Sequence, residues 1–127
     1  MVRYRSTAHG VDITVQPLYL DEQSDFFERR FVFGYVIRID NDTDTDVQLL
    51  RRHWNIWEDS GKVQEVDGEG VVGKQPLLQP GGSHQYSSFC VLESLSGAME
   101  GYFTMERFNG ERFRVHTPRF YLAAQAN

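Results

Sequence analysis

Apolar and polar residues alternate along most of this chain, and the alternation stops at clusters of turn residues. The clearest run is Arg30 to Asn41. Phe31, Phe33, Tyr35, Ile37 and Ile39 fall at period two, with Gly34, Arg38 and Asp40 on the other parity. That is the pattern of a strand with one buried face. An earlier strand, Val11 to Leu20, sets Val11, Ile13 and Val15 on one face; Pro17 interrupts it and predicts an edge position or a bulge. Asp46 to Glu58 puts Leu50, Trp54 and Ile56 in one phase and Arg51, His53 and Asn55 in the other, with Trp54 the expected centre of the core. A short strand, Lys62 to Asp67, follows the turn Asp59-Ser60-Gly61. After a glycine-rich loop, Gly68 to Gln75, Leu77-Leu78 pack briefly and Pro80-Gly81-Gly82 turns the chain. Two more strands span His84 to Leu92 and Ala98 to Phe108. The seventh starts at Glu111 after Asn109-Gly110, a strong hairpin signal, and is broken by Thr117-Pro118 before Phe120 and Leu122.

Seven antiparallel strands predict an all-β fold, an immunoglobulin or fibronectin type III-like sandwich, in one domain over residues 1–127 with its core at about 11–122. Composition agrees. Val, Ile, Thr and the aromatics make up 39 of the 127 residues, against five Ala and two Lys. The net charge of -5 argues against a nucleic-acid partner. The longest apolar run, Phe31 to Ile37, is far short of the roughly 20 residues that span a bilayer, so no membrane segment is expected. Met1 to Ser6 holds no apolar stretch of the kind a secretory signal needs. The single cysteine, Cys90, cannot form an internal disulfide and fits a reducing, cytoplasmic setting.

Gly68-Glu69-Gly70-Val71-Val72-Gly73 matches G-x-G-x-x-G, and its extension to Lys74 matches G-x-x-x-x-G-K. Both motifs aim backbone N–H groups and a helix N-terminus at phosphate. Here Pro76 and Pro80 follow with no helical period, and Gln75 stands where a magnesium-holding Ser or Thr belongs. A structural loop crossing between sheets is the main reading. A helix-free anion site for phosphate or nucleotide at Gly68, Gly70, Gly73 and Lys74 is the alternative. Asp40, Asp42 and Asp44 mimic the start of a calcium loop, but Thr45 replaces its glycine and Arg51 its final Glu, so a solvated turn is expected. His9, His53, His84 and His116 have no metal-ligand spacing, and no metal or cofactor is expected. Cys90, between Phe89 and Val91, reads as a small buried hydrophobe, and no catalytic constellation stands out. Contact surfaces are better candidates. Eleven of 13 basic residues are Arg, and Arg51-Arg52 place one guanidinium on each strand face. Phe26-Phe27, between Asp25 and Glu28, cannot both be buried, so one is a candidate anchor for a protein partner or for a second copy in a homodimer.

Several stretches together resemble the ApaG family, also called CorD or DUF525. They are Asp21 to Ser24, Arg30 to Tyr35, Val47 to Trp54, the long block Val63 to Leu78, Tyr86-Ser87, Gly97 to Gly101 and Pro118 to Phe120. The resemblance implies a fibronectin type III-like sandwich in a small bacterial cytoplasmic protein. It also implies a link to cobalt and magnesium homeostasis and to dinucleoside polyphosphate metabolism, with the glycines touching pyrophosphate. Similar eukaryotic domains serve as interaction modules. The expectation is a non-enzymatic protein-binding module, with phosphate or nucleotide binding as the rival. The chain departs from the family pattern at Ser87 to Cys90 and at Leu95-Ser96.

Overall fold

The computed structural model describes residues 2–124. Its strands are β1 (Tyr4–Ala8), β2 (Val11–Tyr19), β3 (Phe31–Asn41), β4 (Val47–Glu58), β5 (Val63–Glu69), β6 (Leu77–Leu78), β7 (Ser83–Leu92), β8 (Ser96–Arg107), β9 (Arg112–His116) and β10 (Phe120–Ala123). One antiparallel sheet has the order β1-β2-β3-β7; the other runs β10-β8-β4-β5, with β6 also on β4 and β9 also on β8. This is the expected antiparallel sandwich, with ten strands instead of seven.

The three extra strands have physical reasons. β1 is Tyr4-Arg5-Ser6-Thr7-Ala8, with no apolar alternation to read. His9 and Gly10, at φ 54° and 75°, fold it back onto β2 in a tight turn. β6 is two residues long. The seventh strand splits at Thr117-Pro118, and its halves β9 and β10 pair with different stretches of β8. β2 is an interior strand, contrary to the edge reading. Its partner β1 reaches only to Val15, so at Pro17 that flank has no ladder for the missing N–H to break.

One bulge resets the phase of β4. Leu49 faces Met105 and Arg51 faces Thr104, which leaves Leu50 as the extra residue. Leu49, not Leu50, is therefore the core residue, fully buried. Past the bulge, Trp54 and Ile56 face the core as expected. The ring of Trp54 lies 5.9 Å from each of Tyr35, Phe103 and Phe120, which ties both sheets together. Gly101 makes room for it. A Cβ there would sit 2.8 Å from the indole and collide with the His53 carbonyl oxygen.

The sandwich closes on one side and not on the other. On the closed side the Ser6 hydroxyl donates to the His116 carbonyl at 2.8 Å, and the Tyr4 ring packs 6.3 Å from Phe120. On the other side, β7 and β5 are the free edges of their sheets. They meet at one end, through Glu58. Its carboxylate is buried, and accepts from the Glu93 N–H (2.7 Å), the Ser94 N–H (3.1 Å), the Ser94 hydroxyl (2.9 Å) and the Gln64 amide (3.2 Å).

Phe120→Ala lowers the unfolding free energy by about 3–5 kcal/mol in urea titration, whereas Phe27→Ala, at a 94% exposed position, stays within about 0.5 kcal/mol. Burial pushes the Glu58 carboxyl up, but the four donated bonds outweigh it and hold the group below its ordinary 4.5. Its contribution is thus complete above that value and is lost as pH falls through the lower folded one. Glu58→Gln reduces stability at pH 7 and flattens its decline below about pH 4.5 in pH-resolved denaturation.

Candidate functional site

The open side concentrates the unusual chemistry of this molecule. Between β5 and β7 lies a cleft with about 360 Å³ of space. Tyr35, Trp54, Ile56 and Met99 line it, and Arg52, Gln64, Val66, Ser88 and Cys90 also border it. Strand parity explains the lining. The β4 bulge sends Arg52 to the inner side with Trp54 and Ile56, and β7 turns His84, Tyr86, Ser88 and Cys90 inward, each half-buried.

Arg52 has no carboxylate partner among the described residues. Its Nη1 donates to the carbonyl oxygens of Glu69 (3.0 Å) and Gly70 (3.1 Å). Nε and Nη2 meet no acceptor among the described residues. Gly68 sits opposite Arg52 in the ladder, and a Cβ there would come within 2.9 Å of the guanidinium. So Gly68 is a strand residue whose bareness lets an arginine lie flat.

The rest of the glycine segment does not cross between the sheets, as its sequence suggested. β5 and β6 both pair with β4, and the segment between them stays bonded to the bulge: Gly70 N–H donates to the Leu50 carbonyl at 2.7 Å. The crossing is made later, by the Gln79 to Gly82 turn between β6 and β7. Val71 and Lys74 exchange both backbone hydrogen bonds, at 2.8 and 3.0 Å. Val72 and Gly73 between them have φ 48° and 75°. That is a type I′ turn. No helix starts there. The N–H groups of Gly70, Val71 and Lys74 are already donated, and two loop carbonyls point at Arg52. Of the proposed anion-site residues, Gly68 and Gly70 border Arg52, while Gly73 and Lys74 form the exposed tip.

The inner side of β7 is poor in partners. The Tyr86 hydroxyl is buried with no hydrogen-bond partner among the described residues. Burial raises its pKa, as does the neighbouring Tyr35, while the Arg52 charge pulls it down. Burial likewise raises Tyr35, whose hydroxyl bonds with Ser88. Burial and then the Lys74 charge lower the pKa of His84. Burial pushes the Cys90 thiol up to about 12, a protonated and unreactive sulfur at neutral pH.

The remaining sequence candidates lie elsewhere. Arg51 faces outward and pairs with Asp67 at 2.7 Å. Phe26 and Phe27 are both exposed, at 61% and 94%, so neither tucks into the sandwich. They ride on a tight loop pinned by the Asp25–Arg30 bridge, and the Asp25 carboxylate accepts from the Phe27 and Glu28 N–H groups. The Asp40 to Asp46 segment is a hairpin turn, built around the Asn41 side chain, which bonds Thr43, Thr45 and Leu78. Among the described residues no three His, Cys, Asp or Glu side chains gather as a metal group, and no helix is long and apolar enough to cross a membrane. Sequence reading missed Tyr35 and Ser88 as cleft residues. The signal was present in His84, Tyr86, Ser88 and Cys90, a period-two polar stripe on the face where a core strand carries aliphatic residues.

Residues 21–107 match the ApaG domain, DUF525. The chain belongs to the ApaG family. It is 48% identical over 119 residues to Protein ApaG of Mesorhizobium japonicum, covering 94% of this chain and 92% of that one. The corresponding protein of Agrobacterium fabrum gives the same identity and coverage. A crystal structure of the ApaA protein from Bordetella pertussis superposes with a TM-score of 0.88 at 38% identity, over 100% of both chains. The C-terminal domain of wzt, at 10% identity and TM-score 0.57, shares the fold alone. The ApaG match runs from just before β3 to the end of β8, so it contains every residue lining the cleft; β1, β2, β9 and β10, which close the opposite side, fall outside it.

The turn geometry makes the glycines unequal. Gly70→Val forces a β-branched residue to φ 62° and into the Lys74 carbonyl, lowering stability by about 2 kcal/mol or more. Val72→Asn completes the Asn-Gly pair that a type I′ turn prefers and raises stability by about 0.5–1 kcal/mol. Urea denaturation of both variants measures these two signs.

Proposed function

We propose that this ApaG-family protein is a non-enzymatic, cytoplasmic binding module that takes an extended segment of a protein partner along β7. The observation that carries this reading is the edge itself. β7 is ten residues long and contains no Asp, Glu, Lys, Arg or Pro, the residues that usually blunt a free edge. Its neighbour across the cleft, β5, carries Glu65, Asp67 and Glu69, and the terminal strand β10 is only four residues long. An added strand would bond to the free N–H and C=O groups of β7 and read side chains through flanking pockets. Phe89, 65% exposed, borders one such groove, with Leu18, Leu20 and Val36, on the outer face of the sheet. The Phe26-Phe27 loop precedes β3 at Phe31, whose ladder partner is Leu92, the last residue of β7, and offers an aromatic anchor at that end. Arg51 and Arg52 flank the opposite edge, outside and inside.

The bearing on cobalt and magnesium homeostasis that the family resemblance implies would then pass through the partner. The nucleotide alternative is less well supported, because the amides a phosphate would need at Gly70, Val71 and Lys74 are already donated within the turn.

Peptide-display selection against the immobilised protein tests the reading. The native chain should enrich extended sequences of alternating pattern, and Gln85→Lys with Phe89→Lys should abolish that enrichment while leaving the circular dichroism spectrum unchanged. Enrichment that survives both lysines would refute β7 as the docking edge. Sedimentation of the native chain as a dimer, with the double variant monomeric, would make a second copy the occupant.

A further inference from the structure

We propose that the strand docked on β7 is chosen by one bulky apolar side chain, Phe, Trp, Leu or Met, that enters the cleft between β7 and β5, with an Asp or Glu two residues after it against Arg52. This rests on the β7 reading and names the chemistry of its partner. The backbone fixes which way the docked side chains point. The Asn41 N–H donates to the Gly82 carbonyl at 2.9 Å, and the register continues by twos from Ile39 with His84 to Phe33 with Cys90. Antiparallel bonding alternates between the two sides of a strand. His84, Tyr86, Ser88 and Cys90 therefore bond to β3, while Gln85, Ser87 and Phe89 turn their N–H and C=O groups to the free edge. The Val91 carbonyl belongs to the same outward set, and the Gln64 amide reaches it at 3.5 Å. A strand laid on that edge sends every second side chain inward, level with Ser88 and Cys90, and both of these border the cleft.

The core side of β5 lacks a cover. Val66 sits opposite Trp54 in the ladder and so faces the same side, yet it is 36% exposed. β5 ends its sheet and β7 ends the other, and a strand added beyond β7 supplies a layer over Val66. The space, about 360 Å³ with Trp54, Ile56 and Met99 in its lining, suits one large side chain. A helix, about 10–12 Å across, does not fit between layers about 10 Å apart. Charge sets the neighbour. Of the residues that line the cleft, Arg52 alone is charged. β4 runs from Arg52 past Trp54 to Glu58 at the bridged end, so Arg52 lies one inward position beyond Trp54, about 6.8 Å along the strand. β7 arrives at the bridged end with Leu92, just before Glu93. Every pairing among the described strands is antiparallel. An antiparallel partner of β7 runs from the bridged end toward Arg52 and meets it two residues after the anchor. A second copy of this chain is a poor occupant, because the inward side chains of its own β7, His84, Tyr86, Ser88 and Cys90, are already half-buried in its own sandwich.

The test uses the intact protein and a phage-displayed library of random linear peptides. The native chain is expected to enrich sequences with one constant bulky apolar residue and an acid two positions later. In a synthetic copy of an enriched peptide, Ala at the bulky position should weaken binding to the native chain about tenfold or more, and Lys at the acidic position should weaken it more than Ala there does. Val66→Trp fills the cleft from β5 and leaves the β7 edge untouched. With its circular dichroism spectrum unchanged, it should still bind extended peptides and lose the preference for the bulky residue. If that variant does not fold, the peptide series on the native chain decides. The inference is overturned, with β7 still the docking edge, if the Ala peptide binds as tightly as its parent. The same holds if Val66→Trp keeps the same preference and affinity, or if Lys or Arg is enriched at the second position. Enrichment that survives Gln85→Lys with Phe89→Lys overturns the β7 reading itself, and this inference with it; so does the absence of any enrichment on the native chain.

Discussion

Arg52 carries its charge into the space between two sheets, where a cation must be compensated or expelled. No carboxylate reaches it among the described residues. Instead, two carbonyl oxygens, of Glu69 and Gly70, turn toward Nη1. Much of the open side follows from that one contact. Gly68 must be bare for the guanidinium to lie against β5. Gly70 must reach a left-handed φ so that the chain can present its carbonyl and then turn. Val71 can then bury its side chain as the anchor of the loop, 1% exposed. The glycine pattern that resembles a phosphate cradle is thus inverted in its polarity. It offers carbonyls to a cation where a cradle offers amides to an anion.

The asymmetry of the sandwich comes from the lengths of its strands. β1 and β9 are short and meet across the sheets, so one side is sealed by Ser6, Tyr4 and Phe120. β7 and β5 extend along the other side and are bridged at one end by Glu58, Gln64 and the Lys62–Glu93 ion pair, next to the Glu93-Ser94 turn. The core near the opening stays rigid because Trp54 is gripped by three rings from both layers. A cleft with a firm floor and an uncharged rim strand is suited to recognition, since little order has to be imposed when a ligand arrives.

The sequence was most legible where one face is buried and the period is unbroken. β3 shows it best: Phe31, Phe33, Tyr35, Ile37 and Ile39 all point into the core as their parity requires. Trp54 was equally plain. Leu49-Leu50 was not, because adjacent leucines give either phase the same hydrophobic content, and only the ladder with β8 shows which one is extra. β1 was invisible, since its inward residues are Tyr4, Ser6 and Ala8, and its stability comes from its neighbours. The cleft was hidden for a different reason. Arg52, Val66 and Ser88, which border it, come from three different strands, and the Arg52–Gly68 pairing depends on a register that local patterns do not encode. Val72 at positive φ also defies reading, because a β-branched residue is a poor occupant of that conformation.

Calorimetric titration of the intact protein with pyrophosphate, ATP and diadenosine tetraphosphate tests the inverted polarity of the glycine segment most directly, since its amides are donated within the turn and its carbonyls face Arg52. No saturable heat is expected up to about 10 mM of any of the three. Saturable binding that Lys74→Gln abolishes would contradict it.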